Sequence, residues 1–228
     1  MKKLAFLLAF ALLSAFVGSN FSTTTARNTT IADRFSVEGV LDEGVLGAYG
    51  LDKAHSSIGF RAKHMGLVDV PGYFRDFTGT VNYDPKDVTK STVEFKAQIA
   101  SVDTGAEGRD KHLQREDFFD AAKFPEISFK STKIEKKGNS LILTGDLTMR
   151  GVTKSISFPF NVAGFLKDQR SGGMRMGATA ETVVNRKDFG INYDSKLPNG
   201  TSAVSDNITV VLNLEAVMAA PKPPEATK

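Results

Sequence analysis

Apolar and polar positions alternate with a period of two along most of the chain. Ile58 and Phe60 alternate with Ser57, Gly59 and Arg61, and Phe77, Val81 and Tyr83 share a parity. Val93, Phe95, Ala97 and Ile99 oppose Glu94, Lys96 and Gln98, and Ile127 and Phe129 oppose Glu126, Ser128 and Lys130. Leu141, Leu143, Leu147 and Met149 form a fifth set; Ile156, Phe158, Phe160 and Val162 a sixth. Met174, Met176, Ala178 and Ala180 form a seventh, and Ile208, Val210, Leu212 and Leu214 an eighth. Successive side chains of a strand point to opposite faces, so each set predicts a strand with one buried face. One segment breaks the pattern: Leu113, Phe118, Phe119 and Ala122 recur at helical spacing before Pro125. The spacing predicts one helical insertion between strands 3 and 4.

Glycine falls where tight turns need it, in Lys137-Gly138-Asn139 and Arg150-Gly151, while Asp168 to Gly173 is a longer polar connection. Eight antiparallel strands with one apolar face each form a sandwich or a closed barrel. Hairpin-by-hairpin connection favours an all-β, eight-stranded antiparallel up-and-down barrel. Such a barrel either fills itself with side chains or holds one small ligand. An outer-membrane barrel needs outward apolar faces and aromatic girdles. Here the phenylalanines sit mid-strand and Trp is absent.

The ends carry other signals. Lys2 and Lys3 precede an apolar run from Leu4 to Val17, followed by small and polar residues. The run is shorter than the roughly 18 residues a spanning helix needs, so residues 1–26 read as a secretory signal peptide, with cleavage after Ser19 or Ala26. That places the mature chain in the periplasm or outside the cell. Residues 27–48 read as a leader or linker, 49–218 as the barrel domain and 219–228 as a disordered tail. Loss of Lys2 and Lys3 turns 29 basic against 26 acidic residues into 27 against 26, so the mature net charge is about +1. No basic face stands out, which argues against nucleic acid as a partner. Cysteine is absent, so neither disulfides nor thiolate metal sites are available.

Candidate chemistry is sparse. His55 and His64 lie nine residues apart, on opposite faces of any continuous strand. No HxH, HExxH or Gly-x-Ser-x-Gly pattern occurs. Neither a metal site nor a catalytic set is assigned, and no cofactor is expected. His112 with Asp110 or Asp117 is the one acid–base alternative, and Asp117 and Asp120 would share a helix face. The apolar faces suit a filled core or a lipid pocket equally, and residue type alone leaves that choice open.

An ordered set of short motifs bears on that choice: YGLDKAHSSIGF at Tyr49 to Phe60, SVDTG at Ser101 to Gly105, RDKHL at Arg109 to Leu113 and DFFD at Asp117 to Asp120. FPEISF follows at Phe124 to Phe129, GDLTMRGVTKSISFPF at Gly145 to Phe160 and NRKDFGI at Asn185 to Ile191. From about Tyr49 to Val217 the series resembles the YceI-like, polyisoprenoid-binding family. The resemblance implies a lipocalin-like barrel that holds a polyisoprenoid, an isoprenoid quinone or a similar long-chain amphiphile. It implies a lining drawn from Phe60, Phe77, Phe95, Phe118, Phe129, Leu147, Phe158, Met174, Met176 and Leu212. Arg109, His112 and Arg186 are the candidates for meeting a polar head. Two alternatives stay open: an enzyme acting on a lipidic substrate, and a filled barrel serving protein contact.

Overall fold

The computed structural model describes residues 42–218. The expected signal peptide and tail, and the leader up to residue 41, lie outside the described residues. Eleven β segments occur in the described residues: β1 (Gly47–Leu51), β2 (Ser57–His64), β3 (Val68–Phe74), β4 (Phe77–Tyr83), β5 (Thr92–Gln98), β6 (Val102–Asp103), β7 (Glu126–Lys137), β8 (Ser140–Met149), β9 (Val152–Lys167), β10 (Met174–Asn185) and β11 (Val204–Met218). One α-helix, α1 (Glu107–Leu113), lies between β6 and β7.

The eleven segments make eight staves. β4, β5, β7, β8, β9, β10 and β11 pair antiparallel in that order, and β1 pairs with both β4 and β11, closing the ring. β2 continues β1 along β11, β3 leads into β4 along β2, and β6 continues β5 along β3. The first three staves are thus each broken in two, while the remaining five run unbroken for 10 to 16 residues. The expected eight-stranded antiparallel barrel is what the chain forms, with its helix between the third and fourth staves.

The breaks keep their backbone groups satisfied, as buried backbone requires. Between β1 and β2, the amide of Asp52 and the hydroxyl of Ser56 donate to the Glu215 carbonyl at 2.8 and 3.0 Å, and the Glu215 amide donates to Ser56 Oγ at 2.9 Å. Between β3 and β4, the Gln98 amide donates to the Asp76 carbonyl and the Arg75 amide to Ser101. β3 itself contains Pro71 and Gly72. Proline is tolerated there because β6 pairs only with Tyr73 and Phe74, leaving Pro71 on an edge. β1 starts at Gly47, and Asp42 already bridges to Phe165, so barrel pairing begins ahead of residue 49.

The turns follow their glycines. Arg150 and Gly151 both take positive φ, 51° and 73°, in the two-residue connection of β8 and β9. The helical insertion is shorter than the sequence spacing predicts. α1 ends at Leu113, and Phe118, Phe119 and Asp120 follow in successive turns rather than on a helix face. The amides of Phe119, Asp120 and Ala121 donate back to Leu113, Arg115 and Gln114, and Asp120 takes φ +52°. That left-handed residue ends any helical run, so Asp117 and Asp120 do not share a helix face.

The interior divides along the barrel axis. One buried cluster gathers Phe74, Ile127, Phe129, Leu147, Phe158, Phe189 and their neighbours. The other packs Tyr49, Val81, Phe165, Met176 and Ala216. Tyr49 is fully buried there, with its hydroxyl donating to the Val45 carbonyl at 2.8 Å and accepting from the Val45 amide.

Candidate functional site

Within the larger cluster the barrel is hollow. A cavity of about 370 Å³ runs inward from a polar opening. Its deep walls are the inward faces of the staves: Ile58 and Phe60 of β2, Phe95 and Ala97 of β5, Ile127 and Phe129 of β7, Leu147 and Met149 of β8, Ile156 and Phe158 of β9, Val184 of β10 and Val210 and Leu212 of β11. The period-two pattern therefore delivers the lining directly. The opening is formed by the exposed His64 and Arg109, with Thr104, His112, Leu113, Tyr193 and Val204.

Ten of the thirteen residues singled out in the sequence line this cavity: Phe60, Phe95, Arg109, His112, Phe118, Phe129, Leu147, Phe158, Arg186 and Leu212. Three do not. Phe77 is packed into the first cluster away from the lining, and Met176 is buried in the second, with Met174 against it. Their parity is inward, but those stretches of β4 and β10 face a filled part of the interior.

The post-helix segment is held over the opening by aromatic packing. Phe118 stacks on Tyr193 with ring centroids 4.6 Å apart, and Phe119 meets Phe74 edge-on at 5.8 Å. Arg150 anchors both sides, donating from Nη1 to the carbonyls of Phe118 (3.2 Å) and Gly190 (2.7 Å). The sequence marks Arg150 only as a turn residue. Tyr193 and Thr104 carry no sequence signal, since they sit in irregular segments without periodicity, and Phe119 shows in the sequence only as part of the helical spacing.

The polar groups at the opening differ in how far they are committed. Arg186 is 4% exposed and donates to the carbonyls of Ser205 and Ile191 and to Asp206 at 2.7 Å. It is a structural clamp in the cavity wall. Arg109 is exposed and donates to Thr104 Oγ1 at 2.7 Å and to the Thr104 carbonyl at 2.8 Å. Among the described residues no carboxylate lies within ion-pair distance of it. Asp110 instead accepts from the Thr104 amide and hydroxyl. His112 Nε2 lies 2.7 Å from Asp117 Oδ2, its ring edge-on to Phe118 and Tyr193.

At the opposite, filled end, Arg175 gathers carboxylates. It donates to Asp168 from Nε and Nη2, and from Nη1 to Asp52 and Glu215, while His55 Nδ1 lies 2.9 Å from Asp52. The Arg170 amide and the Arg175 guanidinium hold the Asp168 carboxyl well below its ordinary range. The hydrogen bond to Asp52 raises the His55 pKa. Asp52, His55 and Glu215 have metal-ligand atoms close together, but the guanidinium already supplies the positive charge between the two carboxylates.

A closed eight-stranded antiparallel barrel with one filled end and one apolar hollow end is an architecture with room for one small ligand. The family model for the YceI-like domain matches residues 49–216, and the chain belongs to that family. A UPF0312 protein of Shewanella sp. (strain ANA-3) is 41% identical over 149 residues, covering 64% of this chain and 78% of the relative. Protein YceI of Escherichia coli O157:H7 is 36% identical over 171 residues, covering 74% and 86%. Among solved structures, Campylobacter jejuni YceI aligns with a TM-score of 0.59 at 32% identity, over 79% of this chain and all of that one. Burkholderia cenocepacia BcnA aligns with 0.61 at 25% identity, over 73% and 99%. A polyisoprenoid binding domain from Saccharophagus degradans shares the fold, with a TM-score of 0.56 at 15% identity over 78% and 100%.

Proposed function

We propose that this chain binds the apolar tail of an isoprenoid, isoprenoid quinone or similar amphiphile in its hollow end, as a binding protein and not an enzyme, in the periplasm or outside the cell. One observation carries the reading: an apolar cavity of about 370 Å³ opens beside an arginine that lacks a carboxylate partner among the described residues. Phenylalanine, leucine and isoleucine supply area without directional demands, which suits a flexible hydrocarbon. Arg109 and Thr104 at the rim would meet a polar head, and Arg186, being committed inside the wall, would not. The polyisoprenoid binding domain with the same barrel supports the ligand class. The leading basic-then-apolar segment supports export.

Native mass spectrometry of the chain after mild purification tests the reading. The expected spectrum carries a lipid adduct, or acquires one when a prenol is added. A clean apo mass that persists with excess prenols, isoprenoid quinones and fatty alcohols would overturn it.

A further inference from the structure

The apolar wall of the cavity does not stop at the opening. Ala62 and His64 of β2 stand directly opposite Val70 and Val68 of β3, on the same inward side as Phe60. Ala62, His64 and Val70 line the cavity. Val68, next in that row, is 58% exposed. His64 pairs with Val68, so Met65, Gly66 and Leu67 form the connection, and the Leu67 amide donates to the His64 carbonyl at 2.9 Å. Leu67 is 77% exposed, the most exposed large apolar side chain among the described residues. No residue from Met65 to Val68 is charged. Lys63 and Asp69 flank this tip and pair with each other at 2.9 Å, so the tip carries no net charge. Arg109, at the same opening, donates only to Thr104 and leaves a positive charge unmatched at the rim. The described chain enters and leaves the barrel at the filled end, where Asp42 bridges to Phe165 and Met218 pairs with Met174, so neither connection crosses the tip.

We propose that the β2–β3 tip docks the open end of the barrel on a lipid bilayer, with Leu67 and Val68 entering the headgroup region. An amphiphile then passes between bilayer and cavity along Val68 and Val70 without its tail meeting water. The inference rests on the proposed lipid-binding reading and adds to it the surface from which the ligand is taken. Scattered exposed apolar side chains would be ordinary. These two continue the wall of the cavity itself, and the unmatched Arg109 beside them complements phospholipid phosphates.

The test follows tritiated geranylgeraniol from vesicles of phosphatidylethanolamine and phosphatidylglycerol to the chain, with vesicles and protein separated by centrifugation at successive times. The rate is expected to rise in proportion to vesicle concentration, because contact with the bilayer limits it. Leu67→Ser combined with Val68→Thr should slow transfer about tenfold, the scale of one buried leucine side chain, while affinity for geranylgeraniol presented in detergent micelles stays within about twofold. A rate independent of vesicle concentration marks passage of free prenol through water; it would overturn docking, leave lipid binding intact and needs no substitution to be seen. Equal transfer rates for the substituted and unsubstituted chains would also overturn docking. A matching loss of affinity from micelles would do the same, by marking the two residues as cavity wall. A dimer that the substitutions split without slowing transfer would give the tip to a second copy of the chain and not to a bilayer. No uptake from either vesicles or micelles would overturn docking together with the lipid-binding reading.

Discussion

Phe60 lies across Gly72, the residue directly opposite it in the β2–β3 ladder: a methyl group at position 72 would stand 2.2 Å from Phe60 Cζ. Only a glycine lets the ring rest against the barrel wall. Gly72→Ala should therefore push the ring toward the cavity that Phe60 lines. We expect a loss of about 1–3 kcal/mol in urea unfolding and weaker prenol binding. Phe60→Ala in the Gly72→Ala background should restore part of both, and additivity of the two substitutions would contradict the coupling.

Gly145 makes a contrasting case. A methyl there would lie 2.3 Å from Phe129 Cζ but also 2.6 Å from the Lys130 carbonyl oxygen. Backbone does not swing aside as a ring does. Gly145→Ala should destabilise more than Gly72→Ala, and Phe129→Ala should not rescue it. Equal melting temperatures for the two alanine variants would count against this ranking.

Arg186 is a buried cation whose partners are two carbonyls and Asp206. Arg186→Met should cost about 2–3 kcal/mol, because Asp206 keeps solvent but the Ile191 carbonyl loses its donor inside the wall. Arg109→Met should leave the unfolding midpoint nearly unchanged. Its effect is expected on ligands with an anionic head, read as a lost preference for a prenyl phosphate over the prenol.

Acid should loosen the filled end. Asp168 has a folded pKa held below its unfolded value of about 4, so its contribution is complete above that value and is lost as pH falls through the folded pKa. Asp168→Asn should be less stable than the unsubstituted chain at pH 7, and the gap should close on acidification below about pH 4. His55 runs the other way: its raised pKa gives a contribution complete below about 6.5 and lost as pH rises through the folded pKa. Unfolding midpoints across pH 2–9 check both signs.

Phe118 is buried and stacked on Tyr193, whereas His112 is half-exposed beside Asp117. Phe118→Asp should damage folding or ligand retention far more than His112→Ala does. The reverse order, with lipid turnover lost in His112→Ala, would favour the acid–base alternative.

The stave count, the helix position and most of the cavity wall were legible because a one-faced strand writes its burial into every second residue. Phe60, Phe95, Phe129, Leu147, Phe158 and Leu212 were found that way. Parity tells inside from outside but not one end of the barrel from the other. Hence Phe77, Met174 and Met176, inward-facing but packed in filled regions, looked the same as cavity residues. The split of the first three staves was illegible for a different reason. Pro71-Gly72 in β3 carries turn chemistry that only an edge position excuses. The run from Leu113 to Ala122 mimicked helix spacing while its backbone followed consecutive turns, a distinction that rests on Asp120 entering left-handed space.

One consequence concerns the order of assembly. The ring is sealed where Gly50 pairs with Val217, a contact between the first stave and the last. β11 serves both halves of the broken first stave, so neither β1 nor β2 has its outer partner until the final strand is in place. Folding is thus governed by the most sequence-distant pairing in the barrel, which makes it slow for the chain's size. Removing the last few residues of β11 should unpair β1 at Gly50 and Leu51 while β2 keeps its pairing along residues 204–213, exposing a short strand edge prone to pair with its own copies.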